Sequence, residues 1–314
     1  MCSPSEEVEV PIVKPIVFHQ VGNYERVKCQ FKFPQSRAKP TISQYIYNFN
    51  LGKRSPKEVP INYCFHKGAF HIYRYENPYY LNAMLKNREI AFIRPNLWTD
   101  PFEAKFYEPN KIIKSKKYDV ACVCVKYDWI AGEESAWQSY GKNIGQVVRV
   151  EYNFAQYAKL LNKIGEENDV NFYISVVDYS IRRAEIVSLF YKQKGQFSSI
   201  EEYLTYLSLK RDAFSHENEL RIFAVKKGQS FEDNSSGVVK FDFSDIISDQ
   251  ELIKSVGSDD DNSTLITEVA LSPNINEINK LQTTINTINP NFSFYHSKLY
   301  DTSTQQDCDN KIIQ

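Results

Sequence analysis

Apolar residues recur along this chain at two periods, and the changes from one period to the other predict its elements. Alternation puts successive side chains on opposite faces of a strand, whereas spacings of three and four put them on one face of a helix. Strands are predicted over residues 69–75, 89–94, 119–127, 146–152, 171–179, 217–225, 237–243, 266–271 and 292–299. Helices are predicted over 79–87, with Leu81, Met84 and Leu85 on one face, and over 154–164, with Tyr157, Leu160, Leu161 and Ile164 on one face. Further helices are expected over 133–140, 181–190, 200–213, 245–256 and 276–288. Strands and helices intermix without regular βαβ spacing. The fold class that follows is α+β, a single domain with a mixed, largely antiparallel sheet flanked by helices.

The pattern is weak before residue 69. Pro11 and Pro15 interrupt residues 8–18, which suits an edge strand or an extended arm. Residues 1–68 therefore read as an N-terminal extension, 69–301 as the domain, and 302–314 as a polar tail.

At 314 residues the length fits one large domain or two small ones. A chain 42% hydrophobic and 25% charged is globular in composition rather than disordered. The net charge of −1 gives no bulk attraction to nucleic acid. Charge is uneven, however. Residues 22–69 carry nine Lys/Arg against two Glu, a net of +7, and residues 232–268 carry ten Asp/Glu against two Lys, a net of −8. The six scattered cysteines have no metal-ligand spacing and suit reduced thiols in a cytoplasmic protein. Cys122 and Cys124 alternate on an apolar strand and read as core. The acidic start MCSPSEEVEV does not read as a leader, and no apolar run of membrane-spanning length is present in the sequence.

The densest chemistry lies in residues 210–225, KRDAFSHENELRIFAV. If a strand begins at Glu217, then Glu217, Glu219 and Arg221 share one face, about 7 Å between like positions. The plain structural account is an ion-pair ladder. His71 and His216 read as packing and turn residues, and Asp100 before Pro101 reads as a turn or cap. Gly-rich phosphate loops and nucleophile elbows are absent from the sequence.

Five pieces carry a resemblance: Tyr73-Arg74-Tyr75, Thr99-Asp100-Pro101-Phe102-Glu103, Trp137-Gln138-Ser139-Tyr140-Gly141, the strand after Gly145, and Glu217-x-Glu219-x-Arg221. From Ile72 to about Asp301 the chain resembles a bacterial domain of unknown function, number twenty-nine seventy-one. It departs from that family's usual Asn at Thr99, and in Ala213 where the family has an aromatic. This likeness implies a fold rather than an activity.

An aromatic-Arg strand early and a Glu-x-Glu before a late strand is also similar to the mono-ADP-ribosyltransferases. That second resemblance implies an ADP-ribosyltransferase-like fold and an NAD-dependent transferase or glycohydrolase, in bacteria a candidate for defence or toxin systems. Carried over, it makes Glu219 catalytic, with Glu217 orienting or deprotonating the acceptor. It gives Arg74, Tyr73, Tyr75 and Tyr140 to NAD, and Asp100, Trp137 and Arg221 to the pocket. The family's middle Ser-Thr-Ser or Tyr has no counterpart in residues 89–98; Thr99, or Ser139 with Tyr140, would have to substitute. Arg74, Asp100, Trp137, Tyr140, Glu217 and Glu219 are expected to converge on one cleft, and Arg74 lying across the sheet from Glu219 would end both enzyme readings. Two alternatives stand beside the transferase. One is a metal-dependent nuclease-like hydrolase using Asp100 and Glu219, although no metal site is evident and Arg221 stands where a Lys is usual. The other is a non-catalytic recognition or regulatory module.

Overall fold

A computed structural model describes residues 71–100, 102–109, 111–126, 134, 136–137, 147–181, 197–231, 236–254, 263–272, 275 and 278–297, together with the backbone of 16–17 and 46–48. Its strands are β1 (Ile16–Val17), β2 (Ile46–Asn48), β3 (His71–Glu76), β4 (Glu89–Ile93), β5 (Lys111–Ile113), β6 (Lys116–Lys126) and β7 (Val148–Asn153). They continue with β8 (Val170–Val176), β9 (Asp178–Ile181), β10 (Leu209–Arg211), β11 (Glu219–Lys227), β12 (Val238–Asp242), β13 (Ile266–Leu271) and β14 (Tyr295–His296). The helices are α1 (Pro78–Asn87), α2 (Phe154–Asn168), α3 (Ile200–Tyr206), α4 (Asp249–Leu252) and α5 (Asn279–Ile288).

The main sheet runs β1-β2-β8-β11-β6-β3-β7-β13-β14, with β4, β5 and β12 joined off this path. Pairings are antiparallel except β1 with β2, β9 with β10 and β13 with β14. The α+β class and the largely antiparallel sheet are as expected. The strands predicted first in this region and around residue 220, β3 and β11, both border β6.

One face of the sheet carries the main core. Ile72, Val123, Val125, Val150, Tyr152, Phe172, Leu220 and Ile222 pack there with Leu81 and Leu85 of α1 and Leu160, Leu161 and Ile164 of α2. Local chemistry defines these helices. Asn77 accepts from the Tyr79 N–H ahead of Pro78, which suits the first turn, and Asn153 accepts from the N–H groups of Ala155 and Gln156. The other face is covered by α3 and the segment around Phe106. Phe223, Val225, Cys122 and Tyr173 meet Tyr203, Leu204 and Phe106 there.

Four boundaries differ from expectation. The helix expected over 200–213 stops at Tyr206; the chain then forms β10 and a 3₁₀ helix, Asp212–Glu217. The strand expected from Glu217 begins at Glu219, because Asn218 takes a left-handed φ of 45° that ends the 3₁₀ turn. Glu217 and Glu219 are therefore not neighbours on one strand. The helix expected over 245–256 contracts to α4, opened by a Ser248–Glu251 capping box. The strand expected over 171–179 is two strands, β8 and β9. Of the helix expected over 181–190, Ile181 instead ends β9, and residues 182–190 lie outside the described residues.

Candidate functional site

On the second face of the sheet, the start of β11 meets β10 and the turn that follows β4. Glu219, Arg221 and Phe223 share this face by alternation, and the register of β11 with β6 adds Lys126 and Cys124. Burying charge is costly unless each group finds a partner. Here the partners are supplied from three segments.

Arg221 is fully buried. Its Nε donates to Glu219 Oε1 at 2.8 Å, its Nη2 donates to Glu103, its Nη1 donates to the Leu207 carbonyl, and the Trp98 ring lies 4.2 Å from its guanidinium carbon. Lys210 Nζ faces three carboxylates: Glu217 at 2.5 Å, Glu219 at 3.0 Å and Glu103 at 3.2 Å. Both oxygens of Glu219 are thus occupied, one by each cation, and its backbone N–H donates to the Tyr179 hydroxyl at 3.1 Å. Nearby, Asp100 Oδ1 accepts from the Phe102 N–H while Oδ2 accepts from Nε and Nη2 of Arg211.

Within this cluster three carboxylates (Glu103, Glu217, Glu219) face two cations (Lys210, Arg221), so full ionisation leaves a net −1. Glu217 is the carboxyl nearest solvent, its side chain 18% exposed against 4% for Glu219. Burial pushes Glu217 up to about 7, with Glu219 adding to the rise and Lys210 opposing it. Burial would raise Glu219 too, but Arg221 and Lys210 outweigh it and hold that carboxyl well below the ordinary range. The two neighbouring carboxyls are thus pushed in opposite directions by their surroundings.

The stability consequence has opposite signs for the two groups. Between its ordinary value of 4.5 and about 7, folded Glu217 holds a proton that the unfolded chain has released. Its contribution to stability therefore falls as pH rises through that window, whereas that of Glu219 is lost only in acid. Urea unfolding at pH 5 and pH 8 is expected to give a downward step in wild type that flattens in Glu217→Gln. An unchanged step in the variant would remove Glu217 as its source.

The expected single cleft is met only in part. Asp100, Glu217, Glu219 and Arg221 come together through Arg211, Lys210 and Glu103. Tyr73 lies on the same face, since Tyr73 pairs with Lys126 and Lys126 with Glu219, about 10 Å across two strand spacings. Arg74 does not join them. It alternates onto the main-core face with Ile72, opposite Val150, and its Nε lies 3.4 Å from Glu76. Burial opposes its charge most strongly, but Glu76, Tyr152, Tyr157 and Cys124 together outweigh it, so Arg74 stays firmly protonated. The expectation that Arg74 and Glu219 share a cleft is therefore corrected: one residue of alternation separates them across the sheet, which ends the transferase and nuclease readings as built on that shared cleft. Tyr75 is buried and meets Trp137 edge-on at 4.9 Å, in a cluster with Ala136, Val147 and Ala270. Trp137 is thus core, and Tyr140 lies outside the described residues.

This placement yields a direct test. Arg74→Ala should leave nucleotide binding unchanged and lower stability by on the order of 1–3 kcal/mol, because buried Glu76 loses its partner. Thermal melts and a nucleotide titration on the same variant check both halves; weakened binding would return Arg74 to the site.

Sequence reasoning missed Lys210, Glu103, Arg211 and Trp98 as site residues. The helix expected over 200–213 would place Lys210 and Arg211 in its last turn, whereas the strand β10 brings them to the carboxylates. A metal ion does not fit the two carboxylates suggested for one. Asp100 and Glu219 each already face cationic side chains, and no group of three or more His, Cys, Asp or Glu among the described residues is placed to hold a metal. Cys122 and Cys124 are free thiols, Cys122 buried. No helix among the described residues is long and apolar enough to cross a membrane. Comparison with protein-family models, curated proteins and solved structures finds no match to this chain.

Proposed function

We propose, from the carboxyl pair alone and no longer from the transferase roles that the position of Arg74 overturns, that the protein is an acid–base enzyme whose working group is Glu217, with the N-glycosidic bond of an NAD-type nucleotide as its substrate. The observation that carries this reading is the carboxyl pair: a partly exposed Glu217 poised near neutrality beside an ionised, enclosed Glu219. A general base works best with a value near the operating pH. Ionised Glu217 takes the proton of an attacking hydroxyl, from water or an acceptor. The new O–C1′ bond forms as the C1′–N bond breaks, and nicotinamide departs with the bonding pair, which neutralises its ring.

The roles implied by resemblance shift accordingly. Glu219 divides its charge between Arg221 and Lys210, so it serves to hold Lys210 against Glu217. Tyr73, in the same cross-strand row, is the aromatic that would meet a flat ring, with the Arg149 guanidinium 5.8 Å from its own ring; Tyr75, buried against Trp137, falls out of the site. The same saturation of Glu219 favours the alternative of a non-catalytic module, in which the cluster is purely a scaffold.

NAD consumption followed from pH 5 to pH 9 separates the two. The enzyme reading expects turnover that rises through about pH 7 and then levels, tracking ionisation of Glu217. No NAD consumption at any pH, or a flat profile, would overturn it.

A further inference from the structure

Beside Glu217 lies a surface on which two aromatic rings are each flanked by two cations. The Arg211 guanidinium carbon sits 5.0 Å from the Phe102 ring centre and 4.9 Å from that of Phe214. Lys105 Nζ stands 4.8 Å over Phe102, and Lys210 Nζ 5.2 Å over Phe214. Asp100 fixes Arg211 through Nε and Nη2, with distances of 3.1 and 2.9 Å to Oδ2. That leaves the Nη1 edge of a side chain 26% exposed. Lys105 is exposed and faces no carboxylate among the described residues.

Residues three apart eclipse in a 3₁₀ helix. Arg211, at its N-cap, Phe214 and Glu217 therefore follow one another along one side of the Asp212–Glu217 turn. Phe102 and Lys105 face them from the segment after Asp100. Pre-oriented guanidinium and ammonium groups suit a phosphate, and partly exposed rings suit stacking by a flat base.

From this arrangement we infer that Phe102, Lys105, Arg211 and Phe214 form a subsite for a phosphorylated flat ring, a nucleoside 5′-monophosphate unit, set immediately beside Glu217. The inference deepens the proposed function and rests on it for the adjoining chemistry. The phosphate lies between Lys105 and the free edge of Arg211, and the base lies against the exposed side of Phe214. Lys210 links the two regions, since it contacts both the Phe214 ring and Glu217.

Calorimetric titration of the full chain with adenosine 5′-monophosphate, adenosine and inorganic phosphate tests this directly. The monophosphate should bind more tightly than either fragment. Lys105→Ala, a change at an exposed side chain, should weaken the monophosphate about tenfold, the worth of one charge-assisted contact, and leave adenosine unaffected. Phe214→Leu should weaken both the monophosphate and adenosine, by about tenfold for one lost stack. Inorganic phosphate binding as tightly as the monophosphate, Lys105→Ala binding as wild type, or no binding of any probe would each overturn the subsite. Failure of the acid–base reading looks different: the monophosphate would bind with the expected variant effects while NAD is not consumed at any pH. NAD consumption that is unchanged in Lys105→Ala and Phe214→Leu would overturn the subsite alone.

Discussion

Replacing Arg221 with Met should cost about 3–5 kcal/mol of stability, the usual penalty for breaking a buried ion pair and stranding its partner. Met fills much of the volume, so the loss is electrostatic rather than a cavity effect. Arg221 is fully buried and serves Glu219, Glu103, the Leu207 carbonyl and the Trp98 ring at once. Without it, Lys210 alone faces three carboxylates. The fall in Tm should be roughly 5–8 °C for a chain of this size. Adding Glu103→Gln to Arg221→Met removes one stranded charge and should recover part of the loss. A single variant melting within a degree or two of wild type would show that the cluster contributes little.

The second large effect falls on turnover. Glu217→Gln keeps the size and hydrogen-bonding reach of the side chain but cannot take a proton. kcat should drop by about 10²–10⁴, the range for a lost general base. Stability should move the other way: above pH 7 the variant should match or exceed wild type, because an amide has no ionised form for burial to penalise. Glu219→Gln should differ in sign. It leaves Arg221 and Lys210 each short of a partner, so both activity and Tm should fall. Activity and melting temperature measured together on the two variants therefore assign the roles. A Glu217→Gln protein with full activity would retire it as the base.

Periodicity foretold β3, β4, β6, β7, β12 and β13 to within a few residues, and it foretold α1 and α2, because their apolar faces meet a core. It also placed Glu219 and Arg221 together correctly, since both lie on one strand. What it could not give was the side of the sheet. Arg74 and Tyr73 are one residue apart, and alternation sends one to the main core and the other to the site; only the pairing of Tyr73 with Lys126 and Lys126 with Glu219 decides which. Lys210 was hidden for a different reason. A lysine beside Arg and Asp looks like a solvated helix end, and its burial depends on carboxylates up to 107 positions away, at Glu103. Glu217 was assigned to the wrong element because nothing in the sequence ENELR marks Asn218 as left-handed, although Asn tolerates that conformation better than most residues.

The stacking of Trp98 on Arg221 also equips the molecule with its own optical gauge. The chain has three tryptophans, and this one has a guanidinium 4.2 Å from its ring while sharing the turn that supplies Asp100 and Glu103. An indole's emission responds to a charge held over its face and to the entry of water. A loosening of the charge cluster would thus register as a shift in Trp98 fluorescence, and if the cluster opens ahead of the sheet, that shift would precede the loss of β-sheet circular dichroism. Substituting Phe for the other two tryptophans would leave a single emitter seated on the most heavily charged interior point described in the fold.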